Sequence, residues 1–123
     1  MIKREAIFKL IEAASGVTAY PDFIPQDAPL PAVSYLLVSS PDGERTIEGG
    51  VTLQRHFWQI EILANTRLEG DAIGEKLRQL DGVTTDDFQR IAVSEPRDSP
   101  ATTDTTARQS IVEIETTNRR NRA

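Results

Sequence analysis

The sequence predicts an α+β domain, a single mostly antiparallel (mixed) sheet with two helices packed on one face. Three observations lead there. Residues 2–14 and 66–80 repeat apolar side chains at helical spacing, while five other segments carry the alternation or the short apolar run of a strand. In chain order these are helix, short strand, strand, strand, helix, strand, strand, so strands come in pairs able to form hairpins instead of alternating singly with crossover helices. Finally, 123 residues without an internal repeat are enough for one core and too few for two.

Each element has a local reason. Ile7, Leu10, Ile11 and Ala14 share one helical face, and Ser15-Gly16 stops that helix. Val17 to Tyr20 is a short β-prone run ended by Pro21, and Pro21, Pro25, Pro29 and Pro31 make the next stretch an extended connector. Ala32 to Ser40 reads as a strand buried on both faces, because Val33, Tyr35 and Leu37 alternate with Leu36 and Val38. Pro41-Asp42-Gly43 opens a polar loop that Gly49-Gly50 closes. The strongest strand, residues 52–65, places His56, Trp58, Ile60, Ile62 and Ala64 on a core face and Arg55, Phe57, Gln59, Glu61, Leu63 and Asn65 on a mixed one. Thr66 caps a second helix running to Leu80, with Leu68 or Ala72, then Ile73, Leu77 and Leu80 as its stripe and Asp81-Gly82 as its stop. Residues 88–95 form a strand around Ile91 and Val93, residues 96–106 a polar loop, and residues 107–117 a terminal strand around Ile111, Val112 and Ile114. The domain is thus expected over 1–117, with 118–123 a basic, flexible tail bearing Arg119, Arg120 and Arg122.

Composition narrows the chemistry. With no cysteine, disulfides, thiolate nucleophiles and Cys-based metal sites are excluded. Net charge is −5, which disfavours sequence-independent binding to a nucleic-acid backbone. No apolar run approaches the roughly 20 residues of a membrane-spanning helix, and the charged start Met1-Ile2-Lys3-Arg4-Glu5 is not that of a signal peptide.

His56 is the one histidine, so any imidazole acid, base or metal ligand would have to be this residue. Its place on the face of Trp58 and Ile60 fits a packed core residue better than a catalyst. Glu113 and Glu115 project from one strand face, but their alternation with Val112 and Ile114 is that of a solvated face. Asp86-Asp87 lacks the ligand spacing of a calcium loop, and Gly43 and Gly49-Gly50 lack the strand-to-helix setting of a phosphate loop. Catalytic, metal and cofactor sites are therefore expected to be absent. The long loop from Pro41 to Val51, with Arg45 and Glu48, and the outward pair Arg55 and Phe57 are of residue types suited to an interface.

The order of motifs carries a resemblance. Ile7-Phe8-Lys9-Leu10-Ile11-Glu12-Ala13 leads to Val17-Thr18-Ala19-Tyr20-Pro21, then to the segment from Pro25 to Tyr35, an Ile47-Glu48-Gly49-Gly50 loop, the strand Arg55-His56-Phe57-Trp58-Gln59-Ile60-Glu61-Ile62 and the helix around Asp71 to Leu77. Over residues 5–80 this resembles the small tail-completion, or tail-terminator, proteins of long-tailed bacteriophages. The resemblance implies a virion protein, assembled in the host bacterial cytoplasm, that forms a homo-hexameric ring on the last ring of the tail tube at the head–tail junction. Such a ring stops tube growth and offers a docking surface to the head. Its implied partners are other copies of itself, the major tail tube protein and the head-completion or connector protein. Genome DNA passes through the lumen without specific binding, and no membrane is involved. Arg45, Glu48, Arg55 and Phe57 are then the candidate subunit or tube contacts. The alternatives are a head-completion adaptor and, from another class, a small ligand-binding α+β domain or a hydrolase using His56 with a nearby carboxylate.

Overall fold

A computed structural model describes residues 3–39, 51–98 and 108–121. In chain order the elements are α1 (Arg4–Ser15), β1 (Ala19–Pro21), β2 (Ala32–Ser39), β3 (Val51–Ala64), α2 (Arg67–Arg78), β4 (Arg90–Val93), β5 (Arg97–Asp98) and β6 (Arg108–Asn121). The strands form one mixed sheet in the order β1-β2-β3-β6-β4, with β5 continuing along the β4 side of β6. Among the described residues only the β1–β2 pair is parallel, Ala19 lying opposite Val33 and Pro21 opposite Tyr35. The fold class is the expected α+β, with both helices on one face of the sheet.

The long antiparallel β3–β6 ladder, from Val51 opposite Asn121 to Ala64 opposite Arg108, is the spine of the domain. Its register stacks Trp58 on Ile114 and Ile60 on Val112, with Tyr35 beside Ile60 and Val93 beside Ile114. Ile7 and Ile11 of α1 and Ile73 and Leu77 of α2 close over this face, so one cluster holds both helices to the sheet. Burying side chains of this size contributes roughly 1.5–3 kcal/mol each, which dominates what helix propensity can add.

The helix ends follow local chemistry. Gly16, at φ 75°, takes the left-handed conformation that ends α1, and its N–H donates to the Glu12 carbonyl. At α2, Thr66 Oγ1 accepts from the Glu69 N–H at 3.1 Å while Glu69 Oε1 accepts from the Asn65 N–H at 3.0 Å, a reciprocal cap.

Four expectations are revised. Leu68 is 80% exposed and Ala72 is exposed too, so the apolar stripe of α2 is Ile73 and Leu77, and Leu80 joins the core from just past the helix, which ends at Arg78 and not at Leu80. Strand β2 is buried only over Ala32 to Tyr35 and emerges from Leu36 onward, where a bulge between Leu37 and Ser39 shifts its register against β3. Within the segment expected to be loop, Arg97–Asp98 pairs with β6 as β5. Strand β6 runs past Thr117 to Asn121, because the backbone of β3 continues opposite it as far as Val51.

The two sides of the sheet are finished differently. On β4, the Ile91 carbonyl accepts from the Gly82 N–H at 2.7 Å, the Val93 N–H donates to Asp81 Oδ1 at 2.8 Å, and Arg78 Nη1 donates to the Val93 carbonyl. The turn after α2 thus caps this edge against strand addition. On β2, pairing with β1 ends where the Asp22 N–H donates to the Tyr35 carbonyl at 2.8 Å.

Candidate functional site

The face of the sheet without helices carries two of the four candidate contact residues named from the sequence, Arg55 and Phe57. Alternation on β3 turns Arg55, Phe57, Gln59, Glu61 and Leu63 to this side, and all five are half-buried. The β3–β6 register sets Phe57 opposite Glu115 and Arg55 one step along the ladder. Arg55 Nη1 donates to Glu115 Oε1 at 3.0 Å, and its guanidinium carbon lies 5.4 Å from the centroid of the Phe57 ring. One arginine therefore joins an ion pair to an aromatic face. Arg45 and Glu48 lie outside the described residues.

Beside this trio runs an open groove of about 540 Å3, with Phe57, Ala92, Val38, Ser94, Glu113 and Glu115 among its walls. The surroundings are mostly apolar, and the carboxylates along it are already engaged. Glu115 holds Arg55, while Glu113 Oε2 lies 3.6 Å from Arg97 Nη1. Expected to face solvent as a pair, these glutamates instead take different partners, and only Glu113 is exposed. The groove itself was not visible in the sequence. It needs the bulge of β2 and the end of β4 to come together over β3 and β6. Further along the same face, burial raises the Glu61 carboxyl above its usual range, opposed by a hydrogen bond with the Gln109 side chain.

His56 lies on the opposite, core side and is 1% exposed. Its ring centroid is 6.3 Å from that of Trp58, whose Nε1 donates to Thr116 Oγ1 at 3.0 Å. Burial lowers its pKa, and the polar Asn118 side chain opposes the shift. Among the described residues, His56 Nε2 and Asn118 Oδ1 have no hydrogen-bond partner. This is a packed polar cluster under the end of the sheet, closed to substrate. Asp87 is engaged with Lys3 at 3.6 Å, and no group of three or more His, Cys, Asp or Glu among the described residues is placed to hold a metal ion.

No protein-family model matches the sequence, and no curated protein matches it. The fold, however, has a counterpart in a virion. The chain superposes on one from the virion of a native gene transfer agent (GTA) particle with a TM-score of 0.55, over 89% of this chain and 84% of that one. At 13% identity the likeness is one of fold. At 89% of the chain it reaches further than residues 5–80, which carry the motif resemblance.

Proposed function

We propose that this protein is a phage tail terminator: a subunit of a homo-hexameric ring that caps the tail tube, stops its polymerisation and presents the docking surface for the head. The observation that carries this reading is the fold shared with a chain of the gene transfer agent virion, which agrees with the order of tail-completion motifs over residues 5–80. The helix-free face, with Arg55, Phe57 and Glu115 beside a groove, supplies a contact surface of charged and aromatic groups. A cap must bind the tube on one side and fail to reproduce the tube's own end on the other, so two unlike surfaces are required. The helix layer and the bare sheet face are such a pair. A net charge of −5 also suits the wall of a DNA conduit, because like charge keeps the passing genome from adhering.

The partners in this reading are further copies of the chain, the major tail tube protein and the head-completion or connector protein. The site of action is the head–tail junction of the virion. The reading is tested by adding the purified protein to tail tube protein of the same phage while it polymerises. Tubes that stop growing and carry a ring at one end support it. Tubes that elongate as in its absence, with no ring at either end, refute it.

A further inference from the structure

Phe23 is 72% exposed, just beyond the β1 edge, and the backbone holds it there. Asp22 sits at φ 69°, a left-handed conformation that costs a non-glycine residue energy. The turn is fixed by the Asp22 N–H donating to the Tyr35 carbonyl and the Phe23 N–H donating to the Pro21 carbonyl, both at 2.8 Å. Pro21 before it and Pro25 after it restrict the backbone further. A side chain presented on so short and stiff an arm loses little conformational freedom when it docks.

The groove on the helix-free face is the matching shape. Its volume of about 540 Å3 accepts an aromatic ring, its floor holds Phe57 and Ala92, and Val38 on its rim is 59% exposed. Phe23 of the same chain is not among its walls. We infer that Phe23 of one copy docks in this groove of a second copy, head to tail.

Charge fits the same pairing. The chain has no basic residue between Lys9 and Arg45, and exposed Asp22 and Asp27 flank Phe23. The groove's own carboxylates are paired, Glu115 with Arg55 and Glu113 with Arg97, and on its β4 side stands exposed Arg90, which has no ion pair among the described residues. Acid at the knob and base beside the groove favour this orientation over knob against knob. Because the two patches differ, the contact is heterologous, and repeating it closes a ring when its rotation allows. The inference rests on the ring-forming reading above and supplies the contact between its subunits. A single aromatic anchor buries about 150–250 Å2, well short of a standard interface, so the contact is weak in the free protein and is best trapped covalently.

The chain has no cysteine, so introduced thiols are the only ones present. A Gln26→Cys population, which keeps Phe23 in place, is mixed with a Val38→Cys population and treated with a short bis-maleimide. The expected product is the mixed dimer. Adding Phe23→Ser to the Q26C chain, or Arg90→Glu to the V38C chain, slows its formation about tenfold, while adding Leu68→Ser does not. Phe23, Arg90 and Leu68 are all exposed, and unchanged melting curves confirm that the variants fold. The inference is overturned if Phe23→Ser leaves the mixed product unchanged, if each population links only to itself, or if the mixed product does not exceed that of Q26C with Leu68→Cys. This assay uses purified protein alone. Loss of the link together with overlong tails in a gene-off phage removes the contact and keeps the terminator; a Phe23-dependent link together with normal tails does the reverse.

Discussion

Arg55 shows how much a residue's role depends on what faces it. The sequence places it on the outward side of β3 next to Phe57, and that alternation was legible because every second residue from His56 to Ala64 is apolar or aromatic. Its partner was not legible, since Glu115 lies sixty residues away and a one-step slip of β6 would turn it to the other face. Arg55→Glu sets two carboxylates together and removes the cation–π contact. Because the pair is partly exposed, the expected loss is about 1 kcal/mol, seen as a lower urea midpoint with the fold retained. The variant should at the same time fail to cap tubes. Collapse of the fold would instead make Arg55 structural. His56 answers to pH. Its folded pKa lies below the unfolded value of about 6.5, so the unfolded chain takes up a proton that the folded chain resists. That contribution to stability is complete above about pH 6.5 and falls as pH drops through the window beneath it. His56→Gln should flatten this part of the urea-midpoint profile. Glu61 has the opposite sign, its raised pKa making the ionised form unfavourable, so Glu61→Gln should raise the midpoint at pH 7 and lose that advantage in acid.

At the scale of elements, two glycines of α2 separate propensity from packing. A Cβ on Gly70 would meet Ser110 Oγ at 3.6 Å and the Ala64 Cβ at 3.7 Å, ordinary contacts, so Gly70→Ala should gain about 0.5–1 kcal/mol of helix propensity. A Cβ on Gly74 would lie 2.9 Å from the Pro96 Cγ and 3.2 Å from its Cβ, and a proline ring yields little. Gly74→Ala should therefore lose stability, by about 1–3 kcal/mol, the two variants moving the thermal midpoint in opposite directions. Helix boundaries were readable where Thr66 and Gly16 act on their own neighbours, whereas α2 ends at Arg78, short of the expected Leu80. Strand partners were less so. The parallel pairing of β1 with β2 and the two-residue β5 exist because the sheet is already there to receive them. The extension of β6 was hidden for another reason, since Thr116 and Asn118 are buried polar residues where an apolar alternation would have announced a strand.

For the whole molecule, the α+β layout followed from the order of its periodic segments, whereas the groove and the exposed Phe23 are products of tertiary placement. A capped β4 edge, a bare sheet face and an apolar knob beside β1 make a subunit whose surfaces differ from one side to the other. Such a subunit suits a closed ring at the end of a tube. The most direct test is tail length, measured by electron microscopy in lysates of the parent phage with this gene switched off. The account predicts overlong tubes without heads, restored to normal length when the gene is supplied in trans. Tails of normal length joined to heads would contradict it.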